Sequence, residues 1–429
     1  MNKNARDSRN VYGDSDEPGA GDVTRGGILR TFSSFKYPVY RIYYGAMVGQ
    51  WFAMSMQIMT RSLLIYRLTG SSAAIGIVAI TQAVPTIIVS LFGGAIADRL
   101  QKKHVLLAGQ LASAAIALSI ALSLSLGYLT AERWWVLIVT STLQGAVMGF
   151  MMPSRMAIIP EIVPRSGLMN AISLSSMGQT TFRLMGPALA GFLIEAYDFS
   201  TIYYLMTGVY CIAIVFAFYL PCTSPATAPG GNALRDVTEG IRYLRHHTAI
   251  MLVVIFGAFH VICGHPFMQL MPVFTEDVLG VGASGLGILM TASGVGAMLS
   301  SLVMASLPNR KRGLLLLLGG LVMGVSLMVF SLAPGWAFSL VLMAPIGMGP
   351  TLTMIISSTL IQNYVEPNYR GRMQSFIMMG MGLASLGTFA GGLLAESVGI
   401  QWSIGGLALM LTLVSVGYLI FAKKVTRLE

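Results

Sequence analysis

Twelve apolar runs crowd this chain, covering roughly residues 40–66, 72–97, 104–127, 134–153, 168–194, 199–221, 249–274, 284–307, 313–333, 336–360, 372–396 and 400–422. A run of about 20 apolar residues is the length a helix needs to cross the hydrocarbon core of a bilayer. Inside that core, backbone polar groups must be satisfied within the segment, which a helix does by itself. The pattern therefore predicts an all-α integral membrane protein with twelve transmembrane helices. Composition agrees, because only 10% of the 429 residues are charged and 55% are hydrophobic. A soluble chain commonly carries about a quarter charged residues. Forty-eight glycines also suit helices that pack closely in lipid.

The net charge of +10 could suggest nucleic acid, but the placement of the cations argues otherwise. Of 27 Lys and Arg, all but Arg61, Arg67, Arg133 and Arg183 fall on one side of the twelve-helix layout. They occupy the N-terminal tail, the alternate loops around Lys102, Arg155/Arg165, Arg235–Arg245, Arg310–Arg312 and Arg370/Arg372, and the C-terminal tail. The opposite turns carry Glu132, Asp198, Glu276 and Asp277. This is the positive-inside distribution, and it predicts a multi-pass inner (plasma) membrane protein with both termini cytoplasmic. The basic excess then reports topology and attraction to the lipid surface, with no nucleic-acid role.

Residues 1–36 are polar and mixed in charge, lack the pattern of a cleavable signal, and are expected to form a disordered cytoplasmic tail. Residues 37–221 and 249–422 are expected as two six-helix bundles, with 222–248 a cytoplasmic linker and 423–429 a cytoplasmic tail. The halves echo each other: "GPALAGFLIE" at 186–195 aligns with "GTFAGGLLAE" at 387–396, at an offset of 201. Two pseudo-symmetric bundles of like orientation are a transporter architecture, with the site between them near mid-membrane. In the linker, Val237, Ile241 and Leu244 recur at helical spacing with Arg235, Arg242 and Arg245 on other faces. That spacing predicts a short interfacial helix, with a merely solvated helix as the alternative. Cys211, Cys222 and Cys263 show no motif spacing and are expected as buried apolar thiols.

The stretch "GGAIADRLQKKHVLL" at 93–107 sets a charged knot between two apolar runs. Its pattern Gly94-x-x-x-Asp98-Arg99-x-x-Lys102-Lys103 resembles the signature loop of the major facilitator superfamily. More narrowly, "YRLTGSSAAIG" (66–76), "PSRMAIIPEIVPRSGLMNA" (153–171), "RLMGPALAG" (183–191) and "VTEGIRYLR" (237–245) resemble its drug and siderophore exporter branch, which includes macrolide efflux proteins and the enterobactin exporter. The resemblance implies the major facilitator fold. It also implies a gating latch, with Asp98 as the latch, Arg99 its ion-pair partner, and Lys102 and Lys103 as supporting charges. Gln101 departs from the family's usual glycine. Gly186, Pro187 and Gly191 resemble the helix 5 antiporter motif, with Phe182 where a further glycine is expected. The function so implied is export of an amphiphilic drug, macrolide or siderophore-like molecule by alternating access, as ion-coupled antiport. An importer or lipid flippase on the same scaffold, and a non-transporting membrane sensor, are the competing readings.

Ionisable side chains inside a bilayer are costly and by default functional. Arg61 follows Gln57, and Arg183 follows Gln179, each by four residues and so on one helix face. Both pairs are candidates for the substrate or coupling cavity, as are His260, His265 and Gln269 in helix 7, where Pro266 and Pro272 are expected to kink the chain. Histidine could carry a coupling proton; a neutral interhelical hydrogen bond is the alternative. No carboxylate lies between helix ends except Glu195 and Glu396 at their outer ends. No phosphate-binding glycine-lysine loop, nucleophile constellation or metal-ligand spacing is present, so neither a cofactor, a metal nor enzymatic chemistry is expected. The expected partners are a small-molecule substrate, membrane lipids and a coupling proton, and the expected state is a monomer. Some of the 29 methionines, including Met54, Met56, Met59 and Met373, would give adaptable walls.

Overall fold

The computed structural model describes residues 32–97, 101–221, 233–307, 310–332, 335–426 and 428. The first half comprises α1 (Pro38–Thr69), α2 (Ser72–Ala97), α3 (Lys102–Ser125), α4 (Trp135–Ile162), α5 (Leu168–Ala196) and α6 (Phe199–Phe218). A linker helix, α7 (Ala233–His246), leads into α8 (Thr248–Gly264) and α9 (Pro266–Phe274). Then follow α10 (Gly282–Ser306), α11 (Arg312–Ser331), α12 (Trp336–Tyr364), α13 (Pro367–Val398) and α14 (Ile400–Phe421). The end of the bundle holding Pro38 is termed the N-side, and the opposite end the far side.

Ten helical segments among the described residues are long and apolar enough to cross a membrane, with α8 and α9 counting as one span through Leu279. The remaining two, α1 and α5, are 32 and 29 residues long, so length is not what sets them apart. They hold Gln50, Gln57 and Arg61, and Gln179 and Arg183, so polarity lowers their hydropathy. Of the three helices expected to line the cavity, the span made by α8 and α9 is as apolar as the other spans, whereas α1 and α5 look least like lipid-bathed spans. With them the count is the expected twelve, arranged as two six-helix bundles.

Helix 7 is broken rather than merely bent: α8 ends at Gly264, His265 is the junction, and Pro266 opens α9. Proline fits the first turn of a helix, where its missing N–H costs nothing, but cannot continue the one before it. α4 runs nine residues past its expected end at 153, to Ile162, despite Pro153 and Pro160.

Within each half, α2 packs on α4 and α3 on α6, mirrored by α10 on α12 and α11 on α14. The halves meet along two main seams, α5 with α10 and α2 with α13. Glycines permit the close crossings. A Cβ on Gly186 would strike Ser55 of α1, and one on Gly191 would strike the Ala283 carbonyl of α10. Their repeats 201 residues later behave alike, Gly387 against Ile262 of α8 and Gly392 against Ser72 of α2, the latter at 2.6 Å.

Several expectations need correction at the edges. Residues 1–31 lie outside the described residues, but the end of the expected tail is ordered, with a 3-10 turn at Ser33–Lys36. There the Ser34 backbone N–H and hydroxyl donate to Asn170 Oδ1 at 3.0 and 2.6 Å, which ties the turn to the start of α5. The C-terminal tail packs too: Val425 is buried, and the Gly313 N–H donates to the Leu428 carbonyl at 3.1 Å. α7 buries Tyr243 and Leu244 while Ile241 faces outward, so the stripe read from spacing is rotated. Tyr243 is sandwiched between His247 and Tyr369, with ring centroids 4.0 and 4.4 Å apart, and Arg372 pairs with Glu239 at 2.7 Å. The helix thus docks on the second half. Cys263 is buried, but Cys211 is exposed on α6, because nothing polar opposes a thiol at a hydrocarbon face; Cys222 lies outside the described residues.

Candidate functional site

The two interior arginines share a Gln-x-x-x-Arg spacing but meet different surroundings. Arg61, only 5% exposed, donates through Nη1 to the Ser141 hydroxyl at 3.3 Å and through Nη2 to Gln82 Oε1. It therefore ties α1 to α2 and α4 inside one half, and Gln57 is buried on the same helix. Arg183 is exposed, and no hydrogen bond or ion pair holds it among the described residues.

Its position on α5 shows what it faces. Gly178, Phe182 and Gly186 form the line against α1, through Trp51, Phe52 and Ser55. Leu184, Pro187 and Gly191 form the line against α10, through Gly294, Gly287 and Ala283. Between them run Ser176, Gln179, Thr180 and Arg183, all exposed and all polar. The opposite arc exposes Met177, Met185, Leu189 and Phe192, a hydrocarbon-facing set. Arg183 thus points into the space between the halves.

His265 occupies the break between α8 and α9, and its buried Nδ1 has no hydrogen-bond partner. His260, one turn and more earlier, is buried with the Thr353 hydroxyl 3.3 Å from its Nδ1, which ties α8 to α12. Gln269 accepts from the Ser62 hydroxyl at 3.0 Å, a bond from α1 to α9 across the halves. Of the seven expected cavity residues, Gln179 and Arg183 share the exposed polar arc of α5, and His265 sits at the break between α8 and α9. Gln57, Arg61 and His260 sit within the bundles, and Gln269 lies in the seam.

Hydrogen bonds joining the halves cluster at the far side. Glu195 at the end of α5 accepts from the Ser284 N–H at the start of α10, at 3.1 Å. Glu396 at the end of α13 accepts from the Ala73 N–H at the start of α2, at 3.1 Å, and from the Ser71 hydroxyl at 2.8 Å. Each carboxylate meets the partially positive N-terminus of a helix in the other half, where orphan N–H groups point outward. Arg67 pairs with Glu276 at 2.7 Å and the Tyr66 hydroxyl donates to Asp277 at 2.6 Å beside them. The two glutamates that close the repeated segments are therefore quasi-equivalent clasps, a role that the alignment of the repeats did not reveal.

At the N-side, Asp98 and Arg99 lie outside the described residues, and Gly94 is in the last turn of α2. Lys102 is buried and paired with Glu161 of α4, while Lys103 Nζ lies 5.5 Å from the centre of the Phe218 ring. A shallow apolar cleft elsewhere, between α10, α11 and α12, is bordered by Val303, Leu315, Leu318 and Leu352, and has no polar group suited to a transported solute.

The sequence model of the Major Facilitator Superfamily matches residues 42–386 and 287–428. The chain belongs to that superfamily. Relatives of this superfamily protein include the staphyloferrin A transporter of Staphylococcus aureus, 26% identical over 83% of this chain and 89% of that one. Macrolide efflux protein A of Streptococcus pyogenes is 22% identical over 87% of this chain and 93% of its own. An uncharacterised MFS-type transporter of Bacillus subtilis, YfiS, is 25% identical over 82% and 86%. Among solved structures, a bacterial homologue of the lysosomal transporter Spinster, inward-facing and unoccupied, superposes with a TM-score of 0.71 at 14% identity, covering 94% of this chain and 98% of that one. The nucleoside transporter NupG superposes with a TM-score of 0.67 at 17% identity over 90% and 99%. Superfamily membership makes this a multi-pass membrane transporter.

Because Arg61 satisfies two polar partners inside one bundle, its loss should be a folding defect. Arg61→Ala leaves Gln82 and Ser141 without their donor and is expected to cost about 3 kcal/mol. The melting temperature of the purified protein should fall clearly, and transport should drop only in proportion to folded protein. An unchanged melting curve with abolished transport would instead make Arg61 part of the pathway.

Proposed function

We propose that the protein exports an amphiphilic small molecule by alternating access, driven by proton antiport, with its N-side in the cytoplasm. The observation that carries this reading is the pairing of an exposed polar arc on α5, which holds Gln179 and Arg183, with far-side clasps from both halves, Glu195 on α10 and Glu396 on α2. One end is held shut by contacts that rocking of the halves would break, and the polar arc of α5 stays exposed from the N-side to mid-membrane. The cationic N-side supports the orientation. Kinship with efflux and siderophore transporters supports export. Asp98 and Arg99 serve in this reading as the N-side latch. His265, whose Nδ1 is unpartnered, is the group proposed to carry the proton.

The test is transport in inside-out vesicles with an imposed proton gradient. Solute accumulation inside the vesicles, collapsed by an uncoupler and slowed several-fold by Asp98→Asn at equal protein level, is the expected result. Accumulation only in right-side-out vesicles would make the protein an importer. Export untouched by the uncoupler would remove the proton.

A further inference from the structure

Resting on the reading that the space beside the polar arc of α5 is the transport path, we propose that it selects amphiphiles bearing a carboxylate and rejects amphiphilic cations, with Arg183 as the anion's contact and Gln179 beside it. Among the described residues nothing neutralises Arg183. The acids in or capping the transmembrane helices among the described residues sit at helix ends, Glu161 and Glu366 at the N-side, and Glu132, Glu195, Asp198, Glu276, Asp277 and Glu396 at the far side. The nearest along α5, Glu195, is twelve residues on, about 18 Å along the axis. Its carboxylate is already committed to the Ser284 N–H.

The contrast with Arg61 sharpens the point. Where this fold needs a guanidinium for structure, it supplies Gln82 and Ser141 to hold it. Arg183 has only a Gln one turn away on its exposed face. An unpaired charge away from bulk water is expensive to maintain. A ligand carboxylate relieves it through two parallel N–H···O bonds, a geometry that a planar guanidinium offers and an ammonium does not. The same charge repels a cationic amphiphile, and repulsion at a few ångströms is amplified where the dielectric is low. The amide of Gln179, exposed on the same face, can supply a further polar contact to the same head group. The apolar part of the ligand is left to the surrounding hydrocarbon side chains.

The experiment uses two probes on one scaffold, 12-(dansylamino)dodecanoic acid and the same chain ending in trimethylammonium. Binding is read from dansyl fluorescence with full-length protein in nanodiscs, after subtraction of protein-free nanodiscs. The parent should bind the acid at least about tenfold more tightly than the cation. Arg183→Gln should erase that preference and Arg183→Lys should retain part of it, with all three proteins melting alike. Equal affinity for the two probes, binding of neither, or an equal loss of both in Arg183→Gln would overturn the inference. Movement of the acid in vesicles is scored separately. Preferential binding with no export removes the proposed direction and leaves the anion selectivity standing, whereas export of both probes at equal rates does the reverse.

Discussion

Leucine in place of Gly191 should abolish transport and keep the far side from closing, while leucine in place of Gly208 should change neither. Gly191 sits where α5 crosses the start of α10; a Cβ there would run into the Ala283 carbonyl and lie 3.1 Å from Met59 Cε. The first obstacle is backbone of the other half, which cannot turn aside as a side chain can. Forcing extra carbons into such a contact costs roughly 1–3 kcal/mol or more. Here the two halves can relieve that strain by separating. Gly208 on α6 has nothing within 4 Å of its added Cβ and serves as the control. Gly186→Leu separates packing within a half from packing between halves, since its obstacle is Ser55 of the same bundle. That variant should lower the melting temperature, whereas Gly191→Leu should melt near the parent and fail only in transport. Parent-like transport by Gly191→Leu would mean that the α5–α10 seam need not close this tightly.

Neutralising both far-side carboxylates, Glu195→Gln with Glu396→Gln, should move the population toward a state open at that side by about tenfold, with each single variant giving part of the shift. A carboxylate at a helix N-terminus gains from the helix dipole and from the orphan N–H groups there, an effect of about two- to fivefold at an exposed position. Glutamine keeps a hydrogen-bond acceptor and loses the charge. Spin labels at Leu126 and Trp402, one on each half and both exposed at the far side, would report the separation in a background without the native cysteines. The expected result is growth of a longer-distance population in the double variant and less growth in each single one. Identical distance distributions would remove the clasp. Glu276→Gln is expected to do little, because the Arg67 pair is partly exposed and such pairs contribute little.

Much of the architecture was legible before any coordinates. Apolar run length announced the spans, the distribution of Lys and Arg proposed their orientation, and the 201-residue echo of "GPALAGFLIE" announced two related halves. Pro266 marked a discontinuity in helix 7, although local sequence could not show that His265 would be the junction with an unsatisfied nitrogen. The rotated face of α7 escaped for a related reason. An apolar stripe gives a face only when the neighbour is flat lipid, and Tyr243 instead found rings on the second half.

Lipid compatibility, span count and internal duplication are properties of a chain read one residue after another, so the sequence by itself determined them. The opposite fates of Arg61 and Arg183 were not there to be read, because both follow a glutamine at the same spacing on a polar helix. What separates them is Gln82 and Ser141, 21 and 80 residues away, brought beside one guanidinium and not the other. The glutamates at 195 and 396 were likewise visible as a repeat, but their partners are helix N-termini contributed by the opposite half. A charge acts on whatever lies within a few ångströms of it in space, and only the packing of the two bundles decides what that is.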